Sequence, residues 1–187
     1  MKIFLISITS IICLSFNLFS QSETTQSFES KMMACFKYGF KNKEDMGLKE
    51  YFEECLEQVE FPFFCVEDIN YKVHCSNEFE DFYLINYWFK GCAGCVVEKP
   101  FLERLSSEVP SLKVVSLCKY DVDSYDDILS KKLDWICVAN YENKGVPNCE
   151  VGYPLTILVD NNGKVSLALA GGIRKEKAYD KVIEKLK

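Results

Sequence analysis

The chain has 187 residues, 48% of them hydrophobic and 27% charged, which is enough for one substantial core. Its net charge of −6 excludes nucleic acid and anionic membrane surfaces as partners that bind by charge. Ten cysteines and a single histidine make thiols the main source of chemistry.

In chain order, Met1-Lys2 is a minimal charged start, Ile3 to Phe19 is mostly apolar, and the chain turns polar after Ser20-Gln21. Residues 1–20 thus read as a secretory signal peptide cleaved near Ser20, which carries Cys13 away. Leu18 occupies a position where a small residue is preferred, so the second reading is an uncleaved segment that anchors the chain to a membrane. Export would place the other nine cysteines in an oxidising compartment, where structural disulfides are expected beside any redox pair.

Residues 21–60 form an N-terminal extension with the pattern of a helical hairpin. Met32, Met33, Phe36 and Phe40 have helical spacing, as do Leu48, Tyr51, Phe52, Cys55, Leu56 and Val59. Cys35 and Cys55 fall on the apolar sides of these helices, which predicts a staple between them. A β-hairpin follows Pro62 and turns between Asp68 and Tyr71. A three-residue loop at Ile69 to Tyr71 would set Cys65 opposite Cys75; a two-residue loop would set it opposite His74. No ligand cluster surrounds His74, so no metal site is expected there.

Tyr83 to Phe89 is an apolar, β-branched and aromatic run, the pattern of a fully buried strand. It breaks at Lys90-Gly91, and Cys92-Ala-Gly-Cys95 then opens a helix that contains Pro100 and ends by Pro110. A Cys-x-x-Cys at a strand-to-helix turn places the first sulfur where unpaired amides and the helix dipole favour a thiolate. Further strands are expected over Leu112 to Cys118, Trp135 to Ala139, Leu155 to Val159 and Lys164 to Leu169. A short helix is expected over Tyr125 to Leu133, and an amphipathic one closes the chain around Ala178 to Leu186. The strand–helix–strand alternation implies an α/β fold with parallel pairing.

Four separated motifs carry a family resemblance: Leu84-Ile-Asn-Tyr-Trp-Phe, Cys92-x-x-Cys95-x-x-Glu98-x-Pro100, Gly152-Tyr153-Pro154 and Val159-Asp160-x-x-Gly163-Lys164-Val165. In their order and spacing the chain resembles the exported thioredoxin-like reductases of the TlpA and ResA type, within the AhpC/TSA-related group. The resemblance covers residues 61–187. It implies a thioredoxin fold, with a central mixed β-sheet flanked by helices, and a cis-proline at Pro154 beside the dithiol. It also implies that Cys92, exposed, attacks a substrate disulfide and that Cys95, deeper, resolves the mixed disulfide. Glu98 would then exchange the Cys95 proton, while Tyr153, Pro154 and Trp88 contact substrate. Two positions depart from the family pattern: Gly91 stands where Trp is common, and Gly94 where Pro is common. Ala93-Gly94 carries no charge to favour the thiolate, which points toward a reductant.

The implied partners are cysteine-containing protein substrates and an upstream dithiol electron donor, with no cofactor, in the periplasm or cell envelope. Among Cys118, Cys137 and Cys149 the reading favours one structural disulfide plus a buried thiol over a relay to Cys92 and Cys95. The competing function is a thioredoxin-fold binding module with a structural dithiol, whose N-terminal helical segment binds a partner.

Overall fold

The computed structural model describes residues 25, 27–41, 47–120, 134–142 and 144–187. The leader at 1–20, Cys13 and the helix expected over Tyr125 to Leu133 lie outside the described residues.

Helix α1 runs over residues 27–41 and α2 over Leu48–Leu56. A small hairpin follows, with β1 at Cys65–Glu67 and β2 at Val73–Cys75. Then come β3 (Tyr83–Trp88), α3 (Ala93–Glu108), β4 (Lys113–Cys118), β5 (Ile136–Val138), β6 (Leu155–Val159), β7 (Val165–Ala170) and α4 (Glu176–Lys185). The five longer-range strands form one sheet in the order β5-β4-β3-β6-β7. β4 runs parallel to both β3 and β5, and β6 is antiparallel to β3 and β7. Every residue of β3 is buried, as its run of apolar residues, interrupted by Asn86, requires of a strand covered on both faces.

Strand parity sorts the side chains into two layers. On one face Ile85, Tyr87, Val115, Leu117, Val138 and Ile157 join a core that also holds Phe28, Met32 and Cys35 of α1 and Phe52 and Leu56 of α2. The N-terminal helices are therefore one layer of the sheet's own core. On the other face Leu84, Val114 and Leu158 pack with Leu102 and Leu105 of α3 and Tyr179 and Val182 of α4.

Two disulfides tie the first layer. Cys35 and Cys55 join α1 to α2, and Cys65 joins Cys75 across the hairpin. The hairpin register sets Cys65 opposite Cys75 and Val66 opposite His74. The Asp68 amide donates to the Lys72 carbonyl (2.9 Å), leaving the three-residue loop at 69–71. His74 Nε2 meets the Asp68 carboxylate at 3.1 Å under that loop.

Candidate active site

The end of β3 delivers the chain to Cys92, the N-cap of α3. Cys92 and Cys95 are joined by a disulfide with Cα atoms 5.3 Å apart. The Cys95 amide donates to Cys92 Sγ at 3.2 Å, so the first sulfur occupies the capping position that a thiolate would take after reduction. The expectation of an exposed Cys92 and a deeper Cys95 is corrected here: Cys92 is 6% exposed and Cys95 5%. Both sit in one apolar cluster with Trp88, Cys118, Cys137 and Ala139, against which Phe89 and Tyr153 pack. What distinguishes the two sulfurs is the cap, not depth.

The expected contact of Trp88 with substrate is corrected: it is 2% exposed within this cluster, and its indole N–H donates inward to Ser116 Oγ at 2.8 Å, so it packs under the dithiol and does not face a substrate. The Tyr153–Pro154 peptide bond is cis. A Cβ placed on Gly94 would stand 2.9 Å from Pro154 Cδ, so the proline ring lies directly against the middle of the Cys-x-x-Cys turn. The Tyr153 hydroxyl is 2.7 Å from that of Tyr141, and its ring meets Phe89 edge-on.

Glu98 is 1% exposed, on the inner face of α3. Its Oε2 accepts from Asn86 Nδ2 (2.8 Å), and its Oε1 accepts from the Thr156 hydroxyl and from the Ile173 amide (2.7 Å). Burial pushes its carboxyl above the ordinary value of 4.5, against the opposing pull of Thr156, the Ile173 amide, Asn86 and the Arg174 charge. Gly172 makes this arrangement possible. Its φ is +65°, and a Cβ there would fall 2.2 Å from Glu98 Oε1. Asn86 and Thr156 are directly paired across β3 and β6, so strand register brings both to the same carboxylate.

Sequence reasoning missed Asn86, Thr156, Gly172 and Arg174. For the first two a signal existed: each is a polar residue inside an otherwise apolar buried strand, where its hydrogen bonds must be met internally. Arg174 carried none. Its guanidinium Nη1 would be 3.3 Å from a Cβ on Gly94, so a cation from far along the chain lies beside the dithiol turn.

The expected disulfide among Cys118, Cys137 and Cys149 is also corrected, because all three are free, buried thiols. Cys118 and Cys137 share the dithiol's face of the sheet, but Cys137 is opposite Ser116 and so two residues out of register with Cys118. Cys149 lies in the core of the other face, where its thiol donates to the Gly152 carbonyl at 3.3 Å. Burial pushes the thiols of Cys137 and Cys149 up to about 12. No group of three or more His, Cys, Asp or Glu residues suited to a metal occurs among the described residues.

No protein-family model matches the chain, and no curated protein matches it in sequence. Solved structures do. The thioredoxin domain of a thiol-disulfide oxidoreductase from Bacteroides vulgatus matches with a TM-score of 0.57 and 21% identity, over 70% of this chain and 98% of that one. A protein described as the thiol:disulfide interchange protein DsbE from Chlorobium tepidum matches with a TM-score of 0.57 and 18% identity, over 70% and 98%. A secreted disulfide oxidoreductase from Mycobacterium tuberculosis matches with a TM-score of 0.55 and 14% identity, over 65% and 95%. At these identities the shared property is the fold, which is that of thioredoxin.

Proposed function

We propose that the chain is a thiol–disulfide oxidoreductase that reduces disulfides of exported proteins through Cys92 and Cys95. The observation that carries this reading is the Cys92–Cys95 disulfide at the N-cap of α3, with the cis Tyr153–Pro154 bond packed against the turn. Two solved structures similar to it in fold are described as a thiol-disulfide oxidoreductase and a thiol:disulfide interchange protein, which supports the same chemistry.

In the reduced protein the Cys92 thiolate, held by the Cys95 amide and the start of α3, attacks one sulfur of the substrate disulfide. A Cys92–substrate mixed disulfide forms, and the other substrate sulfur leaves as a thiolate that takes up a proton. Cys95 then loses its proton and attacks Cys92 Sγ. The Cys92–Cys95 disulfide forms, and the second substrate sulfur leaves as a thiol. Two electrons pass to the substrate, and a dithiol donor returns them to the protein. Glu98, whose carboxyl burial holds above its ordinary value of 4.5, serves as the internal group that exchanges the Cys95 proton. Tyr153 and Pro154 present backbone to the substrate chain, while Trp88 supports the dithiol from beneath. An exported location is supported by the signal-like residues 1–20 and by the Cys35–Cys55 and Cys65–Cys75 disulfides, which belong to oxidising surroundings. The binding-module alternative is weakened because Phe28, Met32 and Cys35 of α1 and Phe52 and Leu56 of α2 are committed to the sheet core, while Tyr38 and Phe40 near the end of α1 are exposed.

The test is dithiothreitol-driven reduction of insulin. The wild-type protein should accelerate it and Cys92→Ser should not, whereas equal background rates would overturn the reading. Cys95→Ser should accumulate mixed disulfides with substrate.

A further inference from the structure

Below the dithiol an open cleft of about 530 Å³ runs between α2, the end of β7 and α4, with Val97 of α3 at its upper wall. Five cations line it: Lys49, Arg174, Lys175, Lys177 and Lys181. Two carboxylates also line it, against the five cations. Glu53 pairs with Lys181, and Glu50 folds back over Gly47 at the start of its own helix. Lys49, Arg174, Lys175 and Lys177 are exposed, and none has a carboxylate within ion-pair distance among the described residues. This local excess stands out in a chain of net charge −6. Nor does it stabilise the fold. Lys175 and Lys177 sit at the first turn of α4, where the helix dipole disfavours cations, and like charges crowd one another. The cleft also connects to the chemistry, because the Arg174 guanidinium that heads it reaches the Gly94 turn on which Pro154 packs.

We propose that this cleft docks an acidic, extended segment of the protein whose disulfide is presented to Cys92. The proposal rests on the oxidoreductase reading for its substrate and adds the substrate's charge. A segment passing Tyr153 and Pro154 meets Arg174 first, then Lys175 and Lys177 on one wall and Lys49 on the other. Carboxylates spaced along an extended chain suit that distribution better than one compact anion, whose charge would reach only one end. Because the cations are exposed, the attraction weakens as salt rises.

The test uses the full oxidised chain and short fluorescent peptides without cysteine, one Glu-rich and one Gln-rich. By anisotropy at low salt the Glu-rich peptide should bind about tenfold more tightly. That preference should vanish in a Lys49→Gln/Lys175→Gln/Lys177→Gln variant and in about 0.5 M salt. Equal binding of the two peptides, or a preference that survives in the variant, overturns the proposal. A disulfide substrate flanked by Glu should likewise lose kcat/KM in the variant, while the uncharged hydroxyethyl disulfide is reduced at an unchanged rate, which also shows that the variant is folded. If glutathione disulfide shows the same dependence on the three lysines and the Glu-rich peptide does not, the occupant is a small anion and the proposal fails. Failure of the wild-type chain to reduce hydroxyethyl disulfide would count against the oxidoreductase reading alone, since peptide binding does not depend on turnover.

Discussion

Gly94 and Pro154 approach so closely that a methyl group on residue 94 would lie 2.9 Å from the proline Cδ. This contact packs the dithiol turn against the cis-proline loop with no room for a side chain between them. Gly94→Ala tests it. Alanine gains about 0.8–1 kcal/mol of helix propensity at most, while forcing a ring out of a packed site costs about 1–3 kcal/mol. The expected result is a net loss of about 1 kcal/mol in urea unfolding, with a larger relative fall in kcat/KM for protein disulfides. A variant more stable than wild type with unchanged kinetics would show that the loop adjusts freely.

Arg174 gives a second prediction. Its guanidinium beside the Gly94 turn supplies the positive charge that Ala93-Gly94 lacks, so it is expected to favour the Cys92 thiolate and to moderate the reducing bias read from that dipeptide. Once the disulfide is reduced, Arg174→Gln should therefore slow alkylation of Cys92 by iodoacetamide at neutral pH several-fold, and Arg174→Lys should restore part of the rate. An unchanged rate would mean that the helix start alone sets the reactivity.

The Glu98 carboxyl supplies a pH dependence. Folding raises it above its ordinary value of 4.5, so above that pH the folded chain keeps a proton that the unfolded chain releases. Its contribution is fully present below the ordinary value and is lost as pH rises through the higher native value. Unfolding free energy in urea, followed upward from about pH 4.5, should fall in wild type and fall less in Glu98→Gln. In the same network, Gly172→Ala places a methyl group onto Glu98 Oε1 at a positive φ and should cost about 2–4 kcal/mol.

Thiol counting gives a fourth outcome. Cys118, Cys137 and Cys149 are buried, and the latter two hold their protons up to about pH 12. Apart from Cys13, the folded oxidised chain should show no thiol reactive toward a maleimide at pH 7, and denaturation without reductant should expose all three. Early labelling of Cys118 or Cys137 would indicate that this side of the sheet opens to solvent.

The dithiol was legible in the sequence as a local pattern, two sulfurs one helical turn apart, whereas the cis-proline was expected only through the family resemblance of Gly152-Tyr153-Pro154. The alternation of apolar runs and helical spacing located the strands and implied parallel pairing, but the order β5-β4-β3-β6-β7 came from the structure. The Glu98 network was only half legible. Asn86 and Thr156 announced themselves as polar positions in buried strands, but the Ile173 amide comes from 75 residues further along the chain. Pairing it with Glu98 requires knowing where β7 ends against α3, and no local pattern encodes that. Arg174 was invisible for the same reason. The pairing expected among Cys118, Cys137 and Cys149 failed because Cys149 lies on the other face of the sheet and Cys137 is two residues out of register with Cys118, neither of which sequence separation reveals.

That sorting by face has a consequence for how such a chain is built. The Cys35–Cys55 bridge and Cys149 belong to one side of the sheet, while the dithiol shares the other side with Cys118 and Cys137. Under the proposed chemistry, exchange at Cys92 and Cys95 would take place on the face of the sheet away from the Cys35–Cys55 crosslink, so the sulfurs that react and the bridge that fastens the N-terminal helices lie in separate layers.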